Sequence, residues 1–233
     1  MAVTWITGNI FTSQVQVIVN SVNCVGVMGA GIALECRLRY PDMYEKYVQI
    51  CNSGKLTPGQ LWLYKGGDRW VLNFPTKRDW KVPSKEQYLH LGLKKFVETY
   101  RRKGIESIAF PLLGADRGGL SRDTSRQILS QYLEGLDIPI EIYSYDPSAK
   151  DDLYEQFKEW VLDDGVAVLM SEFNIRKDIV GKLVDALNSP ANFQLNQLGK
   201  TRGIGIKTLE KVFQASHSAK NHPQQIGLDF PRT

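Results

Sequence analysis

Apolar and polar positions along the first 150 residues fall into two alternating patterns. Short runs rich in β-branched and aromatic residues at 2–7, 15–21, 60–64, 70–74, 107–112 and 138–145 read as strands. The stretches 32–39, 42–52, 85–103 and 121–136 read as helices. In 85–103, Leu89, Leu93, Phe96, Val97 and Tyr100 recur at three- and four-residue spacing and make one apolar face for packing on a sheet. Strands alternating with helices predict an α/β fold: a mixed, mostly parallel sheet sandwiched between helices, with a ligand crevice at the strands' carboxyl ends. Asp146-Pro147-Ser148 ends this pattern. Beyond it, 151–162, 166–170, 176–187 and 195–215 read as helical. The expected organisation is one domain at 1–150 and a small helical region at 151–233, with residues 216–233 fraying.

The second strand run stops at Asn20 and Asn23, and a glycine-punctuated turn then leads into the helix that starts at Ile32. Glycines let a loop backbone approach a ligand closely, and the free N–H groups of a helix's first turn favour an anion. The spacing is neither G-x-G-x-x-G nor G-x-x-x-x-G-K-[ST], which excludes the dinucleotide-binding and P-loop readings here. What remains is a phosphate-bearing ligand at a strand's carboxyl end, or a turn that is only structural. A second glycine-rich loop, Gly114 to Gly119, again lies between a strand and a helix. Lys77 follows the strand ending Asn73-Phe74-Pro75-Thr76, so it is expected over the crevice. Pro75 holds Phe74 extended, and the neighbouring Arg78 charge favours the neutral, nucleophilic amine.

Bulk properties narrow the setting. Hydrophobic content of 42% and charged content of 23% suit a soluble globular protein. No apolar run approaches the ~20 residues that span a bilayer, and Met1-Ala2-Val3-Thr4 lacks a basic n-region, so neither a membrane nor a secretory route is expected. Cys24, Cys36 and Cys51 show no metal-ligand spacing and are odd in number. A reducing cytoplasm, no metal, no cofactor and a monomer are therefore expected. The net charge of +4 leans mildly toward polyanions. It is carried by the first 150 residues; the tail is acidic over 151–185 and basic over 196–233.

The motif N-x-x-N-x-x-G-x-M-G-x-G-I-A from Asn20 to Ala33, after Thr7-Gly8-Asn9-Ile10, resembles the macrodomain, a three-layer α/β/α module that binds ADP-ribose. With Asn73 to Trp80 and Pro111 to Leu120, the resemblance is to the subgroup of DarG-type DNA ADP-ribosyl glycohydrolases and the eukaryotic terminal ADP-ribose protein glycohydrolase, nearer the former. It implies that Lys77 attacks the anomeric carbon of the distal ribose and that Asn23 lies against that ribose. It further implies an ADP-ribose site built from Gly8, Asn9, Ile10, Asn20, Gly29, Ala30, Gly31, Ile32 and Thr76, closed by Leu113, Gly114, Ala115, Asp116, Arg117, Gly118, Gly119 and Leu120. Two positions depart from the pattern. Asn9 stands where macrodomains commonly have an aspartate that accepts from the adenine amino group, and its oxygen can still accept. Gly118 stands where the eukaryotic enzyme has an aspartate that assists turnover, leaving Asp116 as a substitute.

The implied activity is removal of ADP-ribose from DNA bases, as antitoxin to a DarT-like DNA ADP-ribosyltransferase. A non-catalytic ADP-ribose reader, or a hydrolase of protein-linked ADP-ribose or O-acyl-ADP-ribose, uses the same pocket. Arg78, Trp80 and Lys81 interleave cations with a ring beside Lys77, a combination that suits a nucleic-acid strand; a tryptophan packed on its own domain is the alternative. In the tail, 195–213 resembles a helix-hairpin-helix element, with Lys200, Arg202 and Lys207 as its electrostatic footprint on DNA. A helical pair that binds a protein, including a toxin, fits the same residues.

Overall fold

Val17 and Val19 face one side of the sheet and Ile18 the other, and all three are fully buried. A strand buried on both faces needs a helical layer on each. The computed structural model, which describes residues 3–67 and 69–220 with side chains through His217, supplies both layers. The strands are β1 (Val3–Gly8), β2 (Val17–Val22), β3 (Trp62–Tyr64), β4 (Trp70–Pro75), β5 (Ile108–Pro111) and β6 (Ile140–Tyr145). They form one sheet in the order β1-β6-β5-β2-β4-β3, parallel throughout except for the edge strand β3. Helices α1 (Gly31–Arg39) and α2 (Pro41–Asn52) cover one face with Cys36, Met43 and Tyr47. Helices α3 (Glu86–Lys103) and α4 (Arg122–Leu133) cover the other with Leu93, Phe96 and Leu129. The expected three-layer α/β/α arrangement with a mixed, mostly parallel sheet is the one observed.

Local chemistry moves several boundaries. The last helix of the first unit is shorter than expected: α4 ends at Leu133 rather than 136, because Glu134 is extended and Gly135 takes a φ of +86°. A 3₁₀ turn that the periodicity does not predict, Ile10–Thr12, follows β1 because the Asn9 side chain caps it.

The chain divides into two compact units between Asp151 and Asp152. Asp151 falls in the first, one residue past the expected break, and its carboxylate lies 3.1 Å from the Arg39 guanidinium. In the second unit, the two helices expected at 151–162 and 166–170 form one continuous helical run. It consists of α5 (Tyr154–Trp160), a π-helical stretch Val161–Gly165, and α6 (Val166–Ser171). Gly165 permits the wide turn, since a Cβ there would lie 2.9 Å from the Trp160 carbonyl oxygen. Then come α7 (Lys177–Asn188), a 3₁₀ segment Leu195–Lys200, and α8 (Ile206–Lys220). The helix therefore continues past the expected fraying point at Ser216, whose side chain is buried. Residues 221–233 of the expected frayed end lie outside the described residues.

Candidate active site

Three neighbouring strands, β5, β2 and β4, deliver the three loops that matter, because parallel strands end on the same edge of the sheet. Beneath the loops, Asn20 and Asn73 sit opposite each other in register. Asn20 donates its amide to the Asn73 side-chain oxygen at 3.0 Å, and both are fully buried. Asn20 thus ties β2 to β4 from below and lies under the surface rather than on it. Its own Oδ1 is buried with no hydrogen-bond partner among the described residues.

Asn23 is the hub of the β2–α1 loop. Its Oδ1 accepts from the Val25 and Val27 backbone amides at 3.0 and 3.3 Å, and its Nδ2 donates to the Val27 carbonyl at 2.5 Å. Tyr47 on α2 donates its hydroxyl to the same residue, and burial raises that phenol far above its ordinary value. Asn23 is only 5% exposed. Its amide therefore builds the loop, with one Nδ2 hydrogen outside these bonds. Tyr47 is a part of the site that sequence reasoning missed; its signal was the helix face Met43, Tyr47, Cys51, which reads only as core.

The loop then delivers Gly29, Ala30, Gly31 and Ile32 to the start of α1. Ala30 stands at the N-cap with no side-chain cap, and the first turn holds no acidic residue. Gly31 has a φ of +56°, which favours glycine. The first-turn amides, lacking any partner in the helix itself, are available to an anion. The second loop differs from expectation here. Helix α4 is already capped by Ser121, whose hydroxyl accepts from the Thr124 amide at 2.9 Å, so its N-terminus is not a second anion site. That loop instead folds on itself: Leu120 N donates to the Gly114 carbonyl at 2.9 Å, and Gly118 N to the Ala115 carbonyl at 2.7 Å. Leu113, Gly114, Ala115 and Gly118 are buried beneath it, while Asp116, Arg117 and Gly119 are exposed and Leu120 is half-buried. Ser84, another residue missed from sequence, supports it from below by donating its amide to the Gly118 carbonyl at 2.8 Å.

Lys77 lies between these loops. The residue is half-buried, and its Nζ donates to the Arg117 carbonyl at 3.1 Å. Burial lowers its pKa from the ordinary lysine value; the cause is desolvation, not the Arg78 charge that the sequence suggested. Arg78 acts instead on Cys24, where its charge opposes a thiol that burial pushes up to about 11. Thr76 is buried and fixes the approach, its amide donating to the Val22 carbonyl at 3.0 Å. Cys24 N donates to the Arg78 carbonyl at 2.9 Å, which joins the β2 loop to the β4 loop.

Asp116, the expected substitute carboxylate, is paired with Arg122 at 3.0 Å on an exposed surface. Gly8 ends β1 and Ile10 begins the 3₁₀ turn, both buried. Asn9 accepts the Phe11 amide at 3.0 Å with its oxygen, while its Nδ2 is buried without a partner among the described residues. One of the two acceptor positions of the Asn9 oxygen is thus taken by the turn, and the group with no bond at all is a donor. Arg78, Trp80 and Lys81 are exposed, Trp80 at 54%, with the Lys81 ammonium 5.5 Å from its ring centre. In the second unit Lys200, Arg202 and Lys207 are also exposed, around a hairpin in which Ile204, Leu209 and Val212 are buried. The first element of that hairpin is 3₁₀ rather than α. Among the described residues no cluster of His, Cys, Asp and Glu could hold a metal ion, and no helix is long and apolar enough to cross a membrane.

A mixed α/β/α sandwich with an uncapped helix start and a lysine between two glycine loops defines the class of fold, and comparison gives it a family. Residues 19–129 match the Macro domain. The chain is 37% identical to the macrodomain of Mycobacterium tuberculosis DarG, covering 97% of that chain and 61% of this one with a TM-score of 0.59. It belongs to the macrodomain family. Among curated relatives, the DNA ADP-ribosyl glycohydrolase of Thermus aquaticus is 38% identical over 147 residues, which is 61% of this chain and 41% of the relative. Thermosipho africanus DarTG in complex with ADP-ribose matches with 34% identity and a TM-score of 0.57, over 64% of this chain and 43% of that one. The chain thus spans about two-fifths of the length of the curated relatives it matches.

Proposed function

We propose that this protein is an ADP-ribosyl glycohydrolase that removes ADP-ribose from a DNA base, with Lys77 as nucleophile. The observation that carries the reading is the Lys77 amine, its pKa lowered by partial burial, held 3.1 Å from the Arg117 carbonyl between the second loop and the uncapped start of α1. A diphosphate on the α1 amides would bring the distal ribose toward that amine. The neutral Nζ forms a bond to the anomeric carbon as the bond to the base nitrogen breaks, and the base takes up the proton that Nζ gives up. Water then adds to the anomeric carbon, breaks its bond to Nζ, passes a proton back to the amine and releases ADP-ribose. Asn23 is the polar group of the β2 loop, with one N–H for the ribose. A DarT-like DNA ADP-ribosyltransferase is the natural source of such a substrate, which gives the protein an antitoxin role.

The strand carrying the base is read from the rim. Trp80, Val82, Val25 and Val27 are exposed apolar residues on the two loops that Cys24 joins, and Arg78 and Lys81 stand among them. Bases stack on such a surface while the cations meet phosphates. The basic hairpin of the second unit extends the nucleic-acid reading, with Lys200, Arg202 and Lys207 as phosphate contacts. Reversing those three charges to Glu is expected to flatten the salt dependence of DNA binding and spare ADP-ribose affinity. Unchanged DNA binding, with loss of a co-expressed toxin, would assign the hairpin to the protein partner.

The direct test is release of ADP-ribose from single-stranded DNA modified on a base, with wild type beside Lys77→Ala. Release by wild type alone is expected. Release by both at equal rates removes Lys77 from the chemistry. Release by neither, with ADP-ribose still bound, makes the protein a reader.

A further inference from the structure

Pro83 and Ser84 end the loop that begins at Lys77, and they sit in a cradle lined by the glycines of the second loop. A Cβ on Gly118 would lie 2.7 Å from the Ser84 hydroxyl oxygen, and one on Gly114 would lie 3.1 Å from the Ser84 Cβ. A Cβ on Gly119 would lie 3.6 Å from the Pro83 Cβ. The two ends of this stretch hold successive carbonyls of one turn. Lys77 Nζ donates to the Arg117 carbonyl at 3.1 Å, and the Ser84 amide donates to the Gly118 carbonyl at 2.8 Å.

The backbone of Ser84 is thus engaged, but its hydroxyl is not. Ser84 is 5% exposed, and its Oγ has no hydrogen-bond partner among the described residues. A buried hydroxyl left without a bond costs free energy. One kept on the turn that receives the nucleophile calls for a partner that arrives with the reaction.

The reaction proposed above has two halves with different needs. The first needs only the amine and the sugar. The second needs a water held against the anomeric carbon. Other polar side chains of these loops are already occupied. Asp116 is paired with Arg122 at 3.0 Å, and the Asn23 side-chain oxygen accepts from two backbone amides and from Tyr47. The Ser84 hydroxyl is unspent, and it can both accept from a water and donate onward.

Resting on the glycohydrolase reading, we infer that Ser84 holds the water of the second half-reaction. The water oxygen bonds to the anomeric carbon as that carbon's bond to Lys77 Nζ breaks. One water proton passes to Nζ and restores the amine. The other, hydrogen-bonded to Ser84 Oγ, stays on the new sugar hydroxyl. Ser84 takes no proton itself; it acts through the water, as a positioning residue.

The experiment is kinetics on the full chain with single-stranded DNA carrying ADP-ribose on a base, for wild type, Ser84→Ala, Ser84→Thr and Lys77→Ala. Quenched samples are weighed by intact-protein mass spectrometry. Ser84→Ala is expected to lower kcat roughly ten- to a hundredfold, the range for a misplaced reactant. KM should fall in proportion and kcat/KM should hold, because only a step after the bond to DNA has broken is slowed. Unmodified DNA should therefore appear in a burst, and the quenched Ser84→Ala chain should carry one ADP-ribose. Ser84→Thr keeps the hydroxyl and should clear that adduct at close to the wild-type rate. An unchanged kcat in Ser84→Ala overturns the inference and leaves the glycohydrolase reading standing. So does a kcat/KM that falls as far as kcat, since the residue would then shape the loop for both halves alike. Full activity in Lys77→Ala, or a wild type that releases no ADP-ribose, removes the glycohydrolase reading itself, and the inference with it.

Discussion

Tyr47 reaches Asn23 from the helix layer below the site, its hydroxyl 2.8 Å from the Asn23 carbonyl and 3.1 Å from its side-chain oxygen. The loop that carries Gly29 to Ile32 is thus held by a phenol from another element. Tyr47→Phe keeps the buried ring and removes only the donor, leaving two acceptor atoms of Asn23 without it. The expected loss is about 1 kcal/mol of stability. ADP-ribose affinity should fall with it, because the loop is less well held. Paired unfolding and binding titrations check this, and a variant with unchanged affinity would mean the loop is held by its own backbone.

The amine of Lys77 must be neutral to attack. Burial lowers its pKa, so the neutral form is reached at lower pH than for an ordinary lysine at 10.5. Below the Lys77 pKa the neutral fraction rises tenfold per pH unit, so kcat/KM should rise with pH and level off before 10.5. A profile that stays flat through mildly acidic and alkaline pH would assign the limiting step to a group other than this amine.

Gly92 lets α3 lie directly on the strand that delivers Lys77. A Cβ at this position would meet the Phe74 ring at 2.2 Å, and Phe74 is fully buried. Gly92→Ala, which an exposed helix would welcome, should here cost about 1–3 kcal/mol by overpacking. Denaturant midpoints measure it. A gain in stability would show that the helix can lift from the strand freely.

Arg39 is buried on α1 between two carboxylates, 2.8 Å from Glu35 and 3.1 Å from Asp151, with its guanidinium 4.2 Å above the Phe11 ring. It links the helix that follows the β2 loop, the turn after β1 and the end of the first unit. Arg39→Met leaves two buried acids without their shared cation, and a loss of about 3–5 kcal/mol is expected. Urea unfolding of the variant tests it; a loss under about 1 kcal/mol would show that water or other donors take over the carboxylates.

Much of this was legible in the chain. Alternating strand and helix patterns gave the layers, and Pro75 and Thr76 put Lys77 at a strand end. What was not legible depended on partners distant in sequence. Nothing near Asn23 announces Tyr47, and nothing near Asp116 shows whether its carboxylate faces the lysine or, as it does, Arg122. The two glycine loops look alike as sequence, yet Ala30 leaves one helix end open and Ser121 closes the other. For Asn9 the capping role was not legible, because its oxygen caps a turn too short to show periodicity.

The pairing of β1 with β6 has a consequence in time. Residues 3–8 are synthesised long before their partner strand, 140–145, so β1 waits for nearly the whole first unit before it can join the sheet. A nascent chain that has reached Leu120 already contains Lys77 and both glycine loops. It still lacks the strand that stands between β1 and β5. Folding that depends on so distant a contact is slow to begin and then abrupt. Synthesis of this protein should therefore yield no partly working site: the pocket arrives late, and all at once.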